Sequence, residues 1–193
     1  MIKVGITGGI GSGKTYVCNV FEKMGVPVFY ADEEAKKISE SDIVKSEIVE
    51  TFGASILGAD NKLDRKKLSE RVFSNASELQ KLNAIIHPLV KKRFENWLEE
   101  NGDKKYILKE AAILFETGLD KEMDSTITVI ADKETRIERV KKRSNLTKEA
   151  IEKIMASQWS DEEKIKQSTF IINNNSNELL LPQIVSIHNA LIH

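Results

Sequence analysis

An α/β fold, with a parallel sheet covered by helices on both faces, is what this 193-residue chain predicts. Three observations carry the prediction. Five short runs rich in β-branched and aromatic residues recur along the chain, helical patterns separate them, and a glycine-rich loop joins the first run to the first helix. Ile2 to Ile6 reads as the first buried strand. The following helix, Tyr16 to Met24, repeats Val17, Val20, Phe21 and Met24 at helical spacing. Val26 to Tyr30, Tyr106 to Lys109, Ser125 to Ile130 and Thr169 to Ile172 supply the other four strands, for a five-stranded sheet. Between Tyr30 and Tyr106 lie helical patterns only, over Asp42 to Phe52, Arg65 to Phe73 and Ser77 to Leu98. An insertion of that size builds a substrate site above the carboxyl ends of the strands in open α/β sheets. A second insertion, Thr135 to Gln167, reads as two charged helices around Ser144-Asn145-Leu146-Thr147, with Thr147 as N-cap of the second. The chain closes with a helix from Glu178 to Leu191, interrupted early by Pro182. The division expected is a single unit: core 1–32, 104–134 and 168–193, helical substrate-binding insertion 33–103, and lid 135–167.

The loop is Gly8-Gly9-Ile10-Gly11-Ser12-Gly13-Lys14-Thr15, which fits the phosphate-binding pattern G-x-x-x-x-G-K-[ST]. Strand, loop and helix stand in the order this motif requires. Its glycines let successive N–H groups turn towards phosphate oxygens, and the helix N-terminus adds partial positive charge. Lys14 is expected to reach the β- and γ-phosphates and the Thr15 hydroxyl to ligate magnesium. The expectation is a nucleoside triphosphate site.

Composition bounds the rest. The formal net charge of −1 gives no global pull towards nucleic acid or an anionic membrane. One cysteine, Cys18, excludes an internal disulfide framework and fits a reducing compartment, the cytoplasm; on the first helix it reads as a packed core thiol. No apolar stretch approaches the length of a membrane span.

Four groups of residues carry possible chemistry. Asp32 follows the second strand, whose end is expected beside the end of the first; there it would orient or deprotonate an attacking hydroxyl, or else cap a helix starting at Glu33. Arg136, Arg139 and Arg143 share a helix face and would neutralise a transferring phosphoryl group, the alternative being a solvated face paired with Glu134 and Glu138. Glu110, ending the third strand, is the candidate magnesium-holding acid; Glu116 faces the substrate or pairs with an arginine. His87, before Pro88, marks a helix kink or contributes to the substrate site, and Trp97 and Trp159 read as packing residues. Asn61-Lys62-Leu63-Asp64 matches the guanine-reading N-K-x-D, but it follows the surface turn Gly58-Ala59-Asp60-Asn61, and its companion D-x-x-G is absent from the sequence, so the match reads as chance and argues against a nucleotide-dependent switch.

Taken together these segments resemble the dephospho-coenzyme A kinase family nearly end to end. The resemblance is carried by Thr7 to Thr15, Ala31-Asp32, Leu63-Asp64-Arg65 with Leu68 and Arg71-Val72-Phe73, and Leu82-Asn83-Ala84-Ile85-Ile86-His87-Pro88. It continues through Ile113-Leu114-Phe115-Glu116, Arg139 with Arg143, Gln158, Lys164 and Ile172-Asn173-Asn174-Asn175. It implies a three-layer phosphate-loop kinase fold with a helical substrate domain and a two-helix lid. It also implies transfer of the ATP γ-phosphate, with magnesium, to the ribose 3′-hydroxyl of dephospho-coenzyme A. By resemblance Asp32, Lys14 and Arg139 are the catalytic residues. The nucleotide falls to Gly8, Gly9, Gly11, Ser12, Gly13, Lys14, Thr15, Tyr16, Arg139, Arg143, Asn174 and Asn175, the acceptor to Asp32, Arg65, His87 and Glu116, and magnesium to Thr15 and Glu110. The sequence departs from the family pattern at Tyr30, where an aspartate is usual, at Glu110 and Ala112, where an aspartate and a proline are usual, and at Ser176, usually glycine. The expected partner is a small molecule, not nucleic acid or membrane, and the chain is expected as a monomer or weak homo-oligomer. Another small-molecule or nucleoside monophosphate kinase of the same fold is the alternative.

Overall fold

The computed structural model describes residues 1–73 and 75–192, with the backbone alone at Arg65, Phe73 and Ala76. The chain divides into two compact units, one of Met1–Tyr30 with Asn101–His193 and one of Ala31–Glu100.

The first unit is built on five parallel strands: β1 (Ile2–Thr7), β2 (Val28–Tyr30), β3 (Tyr106–Glu110), β4 (Ser125–Ile130) and β5 (Phe170–Asn173), in the order β2-β3-β1-β4-β5. The order corrects one expectation, because β3, not β2, flanks β1. Every residue of β3 is buried, so it needs a neighbour on each side, and the 31–100 segment gives the chain enough length to return inside β2. Tyr30, Glu110 and Ile6 therefore stand in one register row, with Glu110 beside the strand that feeds the phosphate loop. The chain leaves β1 towards β2 and crosses it again from β3 to β4. Ligands of such sheets bind outside the carboxyl ends at that reversal.

Helices α1 (Lys14–Lys23) and α9 (Leu180–Ile192) cover one face, where Val4, Ile6, Val17, Cys18, Phe21, Leu108, Ile127, Ile172 and Ile184 form a core cluster. Cys18 is fully buried within it, and burial, reinforced by the charge of Glu110, pushes its thiol far up, as a packing role requires. Pro182 does not interrupt α9; it lies in the first turn, where an N–H would have no intrahelical partner. Gly5 faces the other side of the sheet, where a Cβ would lie 2.7 Å from Leu114, so the segment after β3 packs directly on the backbone.

Residues 133–167 form α6 (Lys133–Arg143), α7 (Lys148–Ala156) and α8 (Asp161–Gln167). The expected pair is α6 and α7, with the Thr147 hydroxyl capping α7 by accepting from Ala150 N. The third, α8, starts at a capping box formed by Ser160 and Glu163 and is not separable from α7 by apolar spacing alone.

The second unit holds α2 (Ala31–Glu40), α3 (Asp42–Phe52), α4 (Arg65–Phe73) and α5 (Ala76–Glu100). Val44, Ile48, Phe52, Ile56, Val72 and Ile86 form its core. Arg71 ties it together, since its guanidinium lies over the Phe52 ring, donates to the Phe52 carbonyl and pairs with Glu78. The only pairing of extended chain here, among the described residues, is the isolated antiparallel bridge Leu57–Leu63 around the Gly58–Asn61 turn. Asp64 accepts from Lys66 N and Lys67 N, so the aspartate of the N-K-x-D lookalike is spent capping α4. No helix among the described residues is long and apolar enough to cross a membrane.

Candidate active site

The loop Gly8–Gly13 connects β1 to α1, and its shape is held from outside. Gly13 has φ 95°, in the left-handed region, and a Cβ there would lie 2.1 Å from Nδ2 of Asn174. That amide donates to the Ser12 carbonyl at 2.7 Å, and the Asn174 carbonyl accepts from the Arg139 guanidinium at 3.0 Å. Arg139 also donates to the Ser12 carbonyl at 3.4 Å. Asn174, just past β5, and Arg139, on α6, thus meet at the loop. Asn175 instead accepts from Asp132 N at 2.7 Å and fixes the turn from β4 into α6. The Ser12 hydroxyl is buried and has no protein partner.

Lys14 opens α1. Its ammonium donates to the Gly8 carbonyl at 2.8 Å and lies 3.9 Å from Oε1 of Glu110, with both side chains largely buried. Thr15 and Tyr16 are exposed in the first turn of α1. A cation on the loop, a nearly buried carboxylate at the end of the adjoining strand and a hydroxyl on the helix N-terminus are the groups that phosphate and a hard cation require.

Other candidates are placed differently from expectation. Helix α2 begins at Ala31, so Asp32 is its second residue, exposed, and not the N-cap that a start at Glu33 would make it. The three arginines on α6 separate by depth rather than sharing one role. Arg136 is buried and donates to the Ile10 carbonyl and to Asp161, Arg139 is half-buried at the loop, and Arg143 is exposed at the C-terminal end. Arg136 pairs with Asp161 rather than with Glu134 or Glu138. Burial raises the Asp161 carboxyl above its ordinary range, against the pull of the Arg136 charge.

Glu116 pairs with a lysine rather than an arginine. Its Oε1 lies 2.5 Å from Nζ of the fully buried Lys164 and also accepts from Trp159 N, while Oε2 is buried without a partner. Trp159 stacks on Phe115 and Trp97 on Phe94, both as packing residues. His87 is exposed on α5, with Pro88 inside the helix. The Arg65 side chain lies outside the described residues. Asp161 has no signal in the sequence, where Asp161-Glu162-Glu163-Lys164 reads as an ordinary solvated helix start; Gln158 and Lys164 were reachable only through family resemblance.

A phosphate loop after the central strand of a β2-β3-β1-β4-β5 parallel sheet, with its lysine near a strand-end acid, defines a phosphate-loop kinase fold. Comparison with known proteins carries this to a family. The dephospho-CoA kinase family model matches residues 2–179, and the chain belongs to that family. It is 45% identical over 174 residues to the dephospho-CoA kinase of Fusobacterium nucleatum, covering 90% of each chain. Among solved structures it is similar to a Thermus thermophilus protein, with TM-score 0.92 and 31% identity over 100% of this chain and 98% of that one. It is also similar to the dephospho-CoA kinase of Campylobacter jejuni, with TM-score 0.70 and 25% identity over 98% and 96% of the two chains. Membership makes the chain a kinase, for which ATP is the phosphate donor.

Proposed function

We propose that this chain transfers the γ-phosphoryl group of ATP to the ribose 3′-hydroxyl of dephospho-coenzyme A, giving coenzyme A and ADP. The observation that carries the reading is Lys14, on the phosphate loop, set 3.9 Å from buried Glu110 in a chain of this family. In the proposed step the Asp32 carboxylate accepts the 3′-hydroxyl proton as the new O–P bond forms. The bond from the γ-phosphorus to the β–γ bridging oxygen breaks, and its electron pair leaves on ADP. Lys14 and Arg139 offset the charge spread over the transferring group, and the loop N–H groups between Gly8 and Thr15, other than those of Ile10 and Ser12, which donate within the protein, hold the phosphates. Asn174 and Asn175 border the adenine, with Tyr16 and Arg143 on the nucleotide side. Arg65, His87 and Glu116 serve the acceptor, which the 33–103 insertion binds, and 135–167 acts as the lid.

Magnesium fits the donors present. It takes hard oxygen ligands, is held by one or two protein groups and keeps water and phosphate oxygens for the rest, as the Thr15 hydroxyl and the Glu110 carboxylate allow. Bound there with the triphosphate, it would offset the negative charge of the phosphates. The balanced net charge supports a small-molecule partner over nucleic acid, the lone buried cysteine supports a cytoplasmic setting, and a monomer or weak homo-oligomer is the state proposed.

The test is the product. Phosphorus NMR of the reaction of ATP-Mg with dephospho-coenzyme A should show a new 3′-phosphomonoester in step with ADP. A phosphate on any other oxygen, or ADP release with no phosphorylated acceptor, would overturn the reading.

A further inference from the structure

Ile10 is the only apolar residue between Gly8 and Gly13, and its side chain, N–H and carbonyl all meet the 133–167 segment. Its side chain packs against Ile137, Val140 and Ile151. Its N–H donates to Oε1 of Gln158 at 2.8 Å, and its carbonyl accepts from Nε of Arg136 at 2.9 Å. The Arg136 guanidinium, in turn, reaches both carboxylate oxygens of Asp161 at 3.2 Å. The loop is moulded around it closely enough that a Cβ at Gly9 would lie 1.9 Å from the guanidinium. Gln158 itself is not a loose surface amide. The next residue, Trp159, is held by its N–H on Glu116 and by its ring on Phe115.

We propose that Gln158 is a positioning residue for the phosphate loop. Through the Ile10 N–H it fixes the apex of the loop, so that the neighbouring N–H groups are already turned towards the triphosphate before it binds. It thereby sets the affinity for nucleotide and leaves the acceptor site untouched. A loop bound only by its own backbone would have to lose that freedom on binding, at the cost of affinity. The inference rests on the reading of Gly8 to Thr15 as the triphosphate loop.

The experiment is equilibrium titration of the full chain with a non-hydrolysable ATP analogue and magnesium, without acceptor, for wild type, Gln158→Met and Gln158→Glu. Methionine keeps the length of the side chain and lacks the acceptor oxygen; glutamate keeps one. Leaving the part-buried Ile10 N–H without its partner should weaken nucleotide binding about tenfold in Gln158→Met. Gln158→Glu should bind as wild type, and the acceptor KM of both variants should stay within about twofold. Gln158→Leu, which removes the same oxygen, replaces the methionine variant if that one does not fold. A folded variant without the oxygen that binds nucleotide as wild type does, an equal loss in Gln158→Glu, or an acceptor KM that rises as much as the nucleotide Kd would each overturn the proposal. Wild type that binds no nucleotide would instead overturn the reading of the loop.

Discussion

Asp32 and Glu110 are both carboxylates at strand ends, and their surroundings give them different work. Glu110 is 8% exposed, faces Lys14 and closes the strand next to β1. It is the acid proposed to hold magnesium. Asp32 is exposed in the first turn of α2, two residues past the last residue of β2. In the proposed step this carboxylate takes the proton of the substrate hydroxyl. If it does so, Asp32→Asn should lower kcat by about 10²-fold or more while the nucleotide Kd holds, measured by steady-state kinetics and titration. An unchanged kcat would leave Asp32 a helix residue only. The Glu116–Lys164 pair is a different matter. Burying both charges costs desolvation that the attraction at 2.5 Å repays only in part. What the pair achieves is placement, because it holds α8 against the Ile113–Glu116 turn. Sequence reasoning found Glu116 but named the wrong type of partner, since a buried lysine has no pattern that separates it from the exposed lysines around it.

The elements differ in how far the sequence reveals them. The strand, loop and helix of Ile2 to Lys23 are legible because everything the loop requires is local: glycines where the backbone turns back, Lys-Thr at the helix start, apolar residues at helical spacing. Strand order is not local. It follows from β3 being buried throughout, which shows only when the sheet is assembled, so adjacency of β1 and β2 was the natural expectation and the wrong one. The break between α7 and α8 is set by a four-residue connection and the reciprocal hydrogen bonds of Ser160 and Glu163. This capping box predicts a pH dependence. The Ser160 N–H, bound to the Glu163 carboxylate, holds that group below its ordinary value of 4.5. A depressed folded-state value contributes stability above the ordinary value, and that contribution is lost as pH falls through the folded one. Melting curves of wild type and Glu163→Gln should therefore differ above about pH 5 and converge as the pH drops below 4. A difference that stays constant across that range would show that the charge of Glu163 is not what caps α8.

At the scale of the molecule, one unit carries the sheet and the phosphate loop, and the other is helical with its own core. The sheet unit binds its loop from three directions: Asn174 after β5, Arg139 and Arg136 on α6, and Gln158 after α7. These residues are up to 162 positions from the loop in sequence, so only their identities, not their meeting, were open to sequence reading. The helical unit carries His87 and Arg65, two of the residues proposed to serve the acceptor. The acceptor proposed for this chain is dephospho-coenzyme A and not a simpler nucleoside. The direct measurement is transfer of labelled γ-phosphate from ATP-Mg to dephospho-coenzyme A, with AMP and adenosine offered in parallel. Label entering dephospho-coenzyme A alone is the result predicted; label entering AMP or adenosine instead, or no acceptor at all, would contradict it.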